Sequence, residues 1–171
     1  MKVSEAIKKR RSTRQFDRKK TISDKQIKAL LEAARWAPSA GNLQSRYLIV
    51  VKDSKTKKKL ALAALGQIWV AQAPIVIVAC ADLKKIRPYG KRGRELYAIQ
   101  DATLALYNLW LTAVEMGLGG VWVGAFSEKM VSKILNLENH LRPVAMLPIG
   151  HPAKTPTPKP RRSIKEFSKT I

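Results

Sequence analysis

Gly117-Leu-Gly-Gly-Val-Trp-Val-Gly-Ala-Phe126 separates two architectures that composition alone leaves open. In the dinucleotide-binding fingerprint, glycines follow a strand and open a helix. Here the order is reversed. The run follows the longest helical segment of the chain, Glu95 to Met116, and enters an apolar stretch that reads as a strand from Gly120 to Phe126. A doubly wound nucleotide fold therefore fails on context. Glycine at 119, 120 and 124 points instead to close backbone packing or to backbone approaching a ligand.

The helix before this run is apolar on two faces. Ile99, Ala102, Leu106, Leu109, Ala113 and Met116 mark one; Leu104, Tyr107, Leu111 and Val114 mark the other. Such a helix is central or lies in an interface. Upstream, Ser23 and Gln26 have capping-box spacing, Ile27, Leu30, Leu31 and Ala34 recur at helical period, and Pro38 stops the helix. Arg46–Val51 reads as a strand, and Lys55–Leu65 as a helix closed by Gly66. Ile75–Ala79 reads as a strand with no polar alternation, so both its faces should be covered. Val3–Lys9 is a short helix, Ser127 caps another through Leu135, and Val144–Ile149 is a last core strand. Helices and strands without strict alternation predict an α+β fold. There is no repeat and no linker, so residues 1–171 form a single domain. Within it, 151–171 is an extended tail: Pro152, Pro156, Pro158 and Pro160 forbid helix. The tail must lie along a surface or reach another subunit.

Lys and Arg total 33 against 12 acids, a net charge of +21. That balance concerns partners, and makes nucleic acid, anionic membrane and anionic small molecules all plausible. The aromatics sit mostly in apolar runs, unlike those of a nucleic-acid platform. No stretch reaches the roughly 18 apolar residues of a membrane span, and Met-Lys-Val-Ser-Glu-Ala carries no signal core. A soluble, cytoplasmic protein is the expectation. Cys80, the single cysteine, lies in an apolar run and reads as a small buried hydrophobe. His140 and His151 have no ligand spacing, so no metal site is expected.

Arg10-Arg11-Ser12-Thr13-Arg14 packs three guanidinium groups and two hydroxyls into five residues. Planar guanidinium forks suit a phosphate monoester, and Ser12 adds a donor. Pro38-Ser39-Ala40-Gly41-Asn42 carries little side-chain bulk, so backbone can reach a flat ring. Asn42 offers both donor and acceptor to a heterocycle edge. On these residues alone a solvated basic helix end and an ordinary helix-to-strand loop stay open.

Taken together and in order, five blocks resemble the FMN-dependent nitroreductase family. Arg10–Phe16 resembles its N-terminal phosphate motif, and Ala37-Pro-Ser-Ala-Gly-Asn-Leu-Gln-Ser45 its flavin loop. Gln100-Asp-Ala-Thr-Leu-Ala105 resembles the start of its central helix, 117–126 its glycine-rich strand, and Pro158–Phe167 its C-terminal segment. The resemblance implies a central, mostly antiparallel sheet flanked by helices in an intertwined homodimer, with FMN at the subunit interface. It implies that Arg10, Arg11, Ser12 and Arg14 come from one chain, with Lys159 and Arg161 closing on the phosphate side. Arg14 would serve either the phosphate or the pyrimidine end of the ring. Pro38, Ser39, Ala40 and Asn42 would come from the partner chain. The backbone of Val123 and Gly124 would sit near the flavin's reactive nitrogen.

The activity implied is electron transfer from NADH or NADPH through bound FMN to a nitroaromatic, quinone or similar small-molecule acceptor. No side chain stands out as a catalytic acid or base. The same fold also hosts flavin destruction and reductive dehalogenation, which are the alternatives. A nucleic-acid binder rests on the net charge alone. Two departures from the family pattern stand out. The segment between Asp82 and Glu95 is short and basic where longer members carry helices over the site, which leaves the cover small, mobile or absent and mildly favours a nicotinamide with an extra phosphate. Position 46 is arginine where many members have proline.

Overall fold

Ile75–Asp82 lies at the middle of the fold in the computed structural model, which describes residues 1–171. Ile75, Ile77 and Ala79 point into one apolar cluster; Val76, Val78 and Cys80 point into another on the opposite face. All eight residues of the strand are buried, as its lack of alternation predicts. Four strands form one sheet. Strand β1 is Arg46–Val51, β2 is Ile75–Asp82, β3 is Gly119–Gly120 and β4 is Leu141–Gly150. Their order across the sheet is β1-β2-β4-β3, and each neighbouring pair is antiparallel.

Helix α1 is Val3–Lys9 and α2 is Asp24–Arg35. Helix α3 is Ser54–Ala63, α4 is Ile68–Gln72 and α5 is the single turn Gly90–Arg92. Helix α6 is Ala98–Glu115 and α7 is Glu128–Ile134. Helices α2 and α6 supply Leu30, Ala34, Ala102, Leu106 and Leu109 to one cluster. Helices α3, α4 and α7 supply Leu60, Val70 and Val131 to the other. The sheet is thus covered on both sides. The capping box of α2 forms as read: the Gln26 N–H donates to Ser23 Oγ at 3.2 Å and the Ser23 N–H to Gln26 Oε1 at 3.0 Å. On α6, Leu104 and Tyr107 remain exposed, so its second apolar face is open within one chain.

Three features depart from the sequence reading. The strand expected over Gly120–Phe126 is only two residues long, followed by a lone bridge from Val123 to Met146. Register continues across the gap, since Gly120 faces Ile149 and Val123 faces Met146. Met146 exchanges both of its backbone bonds with Val123, each at 2.9 Å. Pro148, two residues on, faces the same edge and has no N–H to give, so the ladder lapses at Val121 and Trp122. The central strand runs past Ala79 to Asp82, and its pairing steps over Val144 of β4, which bulges between Ala145 and Pro143. Helix α4 went unread because five residues are too few to show a period. It is followed by a turn whose Ala73 and Pro74 carbonyls accept from the Lys57 ammonium at 2.7 and 2.8 Å. Burial pulls the Lys57 pKa down, and these two bonds offset part of that desolvation.

Cys80 is fully buried, and burial pushes its thiol up to about 12. We expect no alkylation by iodoacetamide in the native protein at pH 8 and full reaction once it is unfolded in urea. Mass spectrometry reads this directly, and rapid native labelling would contradict it. No helix is long and apolar enough to cross a membrane.

Candidate functional site

Two structured stretches carry most of the residues singled out in the sequence. The first is an arm, residues 10–17, that leaves α1 and lies between β3 and the start of the tail. The Thr13 N–H donates to the Gly120 carbonyl at 2.9 Å, and Ser12 bridges Gly120 in parallel. On the arm's other side, the Asp17 N–H donates to the His151 carbonyl at 2.8 Å, and the Ala153 N–H to the Gln15 carbonyl at 3.0 Å. The arm is therefore an added strand on both flanks. Gly119 makes this possible: a Cβ there would stand 2.3 Å from Thr13 Oγ1 and 3.0 Å from Pro152 Cγ.

The arm's arginines are seated on tryptophans. The Arg10 guanidinium lies 4.6 Å over the Trp110 ring and that of Arg14 5.5 Å over the Trp69 ring. Stacking of this kind holds a cation without neutralising it. Arg11 behaves differently: its Nη1 donates to the carbonyls of Lys8 and Arg10, and so covers the open end of α1. Ser12 and Arg14 open with Gln15, Lys154, Thr155, Pro156 and Thr157 into a polar cavity of about 280 Å3. Lys159 and Arg161, foreseen on the phosphate side, lie farther along the exposed tail. Arg161 Nη1 there donates to the carbonyls of Lys159 and Pro160. Within one chain the tail's share of this cavity comes from 154–157.

The second stretch is the loop 38–45. Gly41, Asn42 and Gln44 all have positive φ, at 54°, 56° and 52°. For Asn42 and Gln44 that conformation costs about 1 kcal/mol each and must be held by surroundings. Asp101, buried on α6, does the holding. It accepts from the Ala40 N–H at 3.0 Å, the Ser45 N–H at 3.3 Å and the Ser45 hydroxyl at 2.6 Å. Ser39 Oγ accepts from the Gln44 N–H at 2.9 Å. Tyr89 closes the loop from outside, and a Cβ on Gly41 would stand 2.5 Å from its hydroxyl. Arg46 donates to the Arg35 and Ala37 carbonyls at 2.9 and 3.0 Å, fixing where α2 hands over to the loop. Burial lowers the Arg46 pKa, and the nearby Asp101 opposes that shift. Pro38, Ser39 and Ala40 then line a cleft of about 490 Å3 with Tyr97, Ile99, Gln100, Thr103 and Leu104. Asn42 is exposed at its edge.

The arm's cavity and the loop's cleft share no lining residue. One chain therefore carries two separate hollows. Beside the arm, Val123 is buried and tied to β4, while Gly124 is exposed. A Cβ on Gly124 would meet only the Trp122 indole, at 3.3 Å. The Gln67 side chain donates across to the Ala125 carbonyl at 3.1 Å. This ties the start of α4 to the segment just after Gly124. Gln67, Trp69, Trp110 and Asp101 were not foreseen as site residues. Only the neighbouring Gln100-Asp-Ala-Thr block carried a signal. The buried indole N–H groups of Trp69 and Trp110 have no protein partner. The arm and the start of the tail thus offer stacked cations and hydroxyls, which suit a phosphate on a polyol chain, and the exposed Gly124 backbone suits a flat ring.

Comparison with known proteins bears on the fold and the family. The profile of the Nitroreductase family matches residues 7–72 and 66–151. The NADH dehydrogenase of Thermus thermophilus is 33% identical over 181 residues, covering 90% of this chain and 88% of that protein. The FMN reductase [NAD(P)H] of Bacillus subtilis is 32% identical over 154 residues, covering 82% of this chain and 62% of that protein. Among solved structures, NfrA1 of B. megaterium superposes with a TM-score of 0.90 at 32% identity, over 98% of this chain and 73% of that one. With the reversed glycine run, the antiparallel sheet and the arm all accounted for, the chain belongs to the nitroreductase family.

Proposed function

We propose that this chain is an NAD(P)H-dependent FMN oxidoreductase that works as a homodimer in the cytoplasm. In this reading the arm of one chain and the loop of its partner enclose one flavin. Electrons leave for a small acceptor such as a nitroaromatic or quinone. The observation that carries the reading is the polar, cationic cavity at Ser12, Arg14 and Lys154–Thr157. Bound FMN supplies two-electron transfer between a reduced nicotinamide and the acceptor.

The chain's own residues bind, orient and polarise. Arg10 and Arg14, propped on tryptophan, present fixed positive charge to phosphate and to the electron-rich end of the ring. Ser12 and the threonines at 155 and 157 supply hydroxyl donors. The Gly124 backbone supplies a donor free of side-chain bulk. The partner's Pro38–Asn42 loop, held rigid by Asp101, forms the opposite wall. The open second face of α6, with Leu104 and Tyr107 exposed, supports an interface between copies.

Purified protein should be yellow, release FMN on denaturation and bleach anaerobically with NADPH or NADH. Arg10→Ala should weaken FMN retention by about tenfold or more, as expected for losing a charge-assisted contact. A colourless preparation that takes up no added FMN would sink the reading.

A further inference from the structure

The short basic segment after β2 folds into a lobe fixed directly against the Pro38–Asn42 loop. Ile86 is fully buried at its base, and Gly93 packs on Tyr89 and Ile86 so closely that a Cβ would stand 2.6 Å from Tyr89 Cβ. Tyr89 and Tyr97 meet edge to face at 5.5 Å, and the Tyr89 hydroxyl closes on Gly41. Between Leu83 and Glu95 the lobe carries six cations, Lys84, Lys85, Arg87, Lys91, Arg92 and Arg94, against one acid. That acid, Glu95, is 3.8 Å from Lys91. Arg87, Arg92 and Arg94 have no acidic partner and are exposed.

Arg92 is the best placed of these. Its Nε donates to the Tyr97 hydroxyl at 3.0 Å and its guanidinium lies 5.5 Å over the Tyr97 ring. Both terminal nitrogens stay free for a paired contact with phosphate oxygens. Tyr97 itself lines the cleft beside Pro38, Ser39 and Ala40. An oriented, unneutralised arginine at the rim of a largely apolar cleft favours a phosphate near a flat base. Sites that select the unphosphorylated ribose place a carboxylate there instead. The lobe's one carboxylate, Glu95, faces Lys91, and the cleft's own Asp101 is buried and spent on the Ala40 and Ser45 bonds.

We infer that this lobe selects NADPH over NADH, with Arg92, supported by Arg87 and Arg94, holding the 2′-phosphate of the nucleotide. The inference rests on the reductase reading above. Because the loop faces the partner's flavin in that reading, the lobe serves the same flavin.

The test uses the intact flavoprotein. Calorimetric titration should show NADP+ binding about tenfold or more tighter than NAD+, and NADPH bleaching the flavin at correspondingly lower concentration. In Arg92→Ala/Arg94→Ala the preference should shrink to about threefold or less, with the loss falling on NADP+. Arg92→Lys, which keeps charge but not the planar fork, should fall between. Lys58→Ala/Lys59→Ala removes the same charge from exposed positions of α3, on the face of the sheet opposite α6, and should leave the preference intact. A shift of equal size there would assign the effect to net charge and overturn the inference. So would equal binding of the two nucleotides by the unaltered protein, or a preference that survives in Arg92→Ala/Arg94→Ala. A yellow protein bleached equally by both nucleotides overturns the selection and leaves the reductase reading standing; one bleached by neither overturns both. Retained flavin and an unchanged unfolding midpoint confirm that the lobe variant is folded.

Discussion

Replacing Asp101 by alanine will lower the midpoint of thermal unfolding by about 5–10 °C and strip the protein of most of its flavin. The side chain accepts three hydrogen bonds from a loop 56 to 61 residues away in sequence. Without it the Ala40 and Ser45 N–H groups lose their acceptor beside a buried helix, and the Ser45 hydroxyl loses its short bond. Orphaned buried donors cost about 1–3 kcal/mol each, so a total near 2–4 kcal/mol is expected after partial relaxation. The loop it held also contains Asn42 and Gln44 in left-handed conformations. Released, these residues will return to ordinary backbone angles, and the wall they form will no longer exist in one shape.

Asp101→Asn keeps volume and one acceptor, so its loss should be about half as large. Circular dichroism against temperature and flavin fluorescence after gel filtration measure the two effects. An alanine variant that melts within about 2 °C of the parent and stays yellow would remove Asp101 from this role.

Gly119→Val should do comparable damage from the other half-site. Its side chain has no room, since even a Cβ would overlap Thr13 Oγ1 at 2.3 Å and Thr13 Cβ at 2.8 Å. The colliding atoms belong to the arm's own backbone-anchored residue, which has no flexible end to swing away. The arm must lift from β3, breaking the Thr13–Gly120 bond and unseating Ser12 and Arg14. We expect about 2–3 kcal/mol of lost stability and about tenfold weaker FMN retention. Hydrogen exchange at the Thr13 amide separates local lifting from global unfolding: it should quicken more than exchange in β2. Uniform acceleration across the sheet would mean that the damage is not confined to the arm.

Much of the frame could be read before the coordinates. The capping box at Ser23 and Gln26, the run Ile75–Ala79 and the two-faced helix ending at Met116 each carry a local physical signature, and each appears where expected. The glycine run was legible as helix-to-strand, but its strand is cut short by Pro148, a residue on the neighbouring strand that no reading of 117–126 could include. The site shows the same division. Arg10, Ser12, Arg14 and the 38–42 loop stand out by composition. Trp69 and Trp110 do not, because aromatic residues in apolar runs read as core, and only the fold brings the arginines over them. The same holds for Tyr89 against Gly41, where close packing between distant segments leaves no trace in spacing.

The arm's pairing with the tail has a consequence for how the protein is made. The cavity at Ser12 and Arg14 is closed by residues separated from them by about 140 positions, joined through the Gln15–Ala153 and Asp17–His151 bonds. A growing chain on the ribosome can complete α2, β1 and β2 early, but it lacks this cavity until residue 157 has emerged. Contacts this distant pay their loop-closure cost last. With the flavin phosphate in that cavity, as proposed above, cofactor capture is a late event in biogenesis, and the nascent polypeptide waits colourless, its N-terminal strand unpaired, until its own distal segment arrives to cover it.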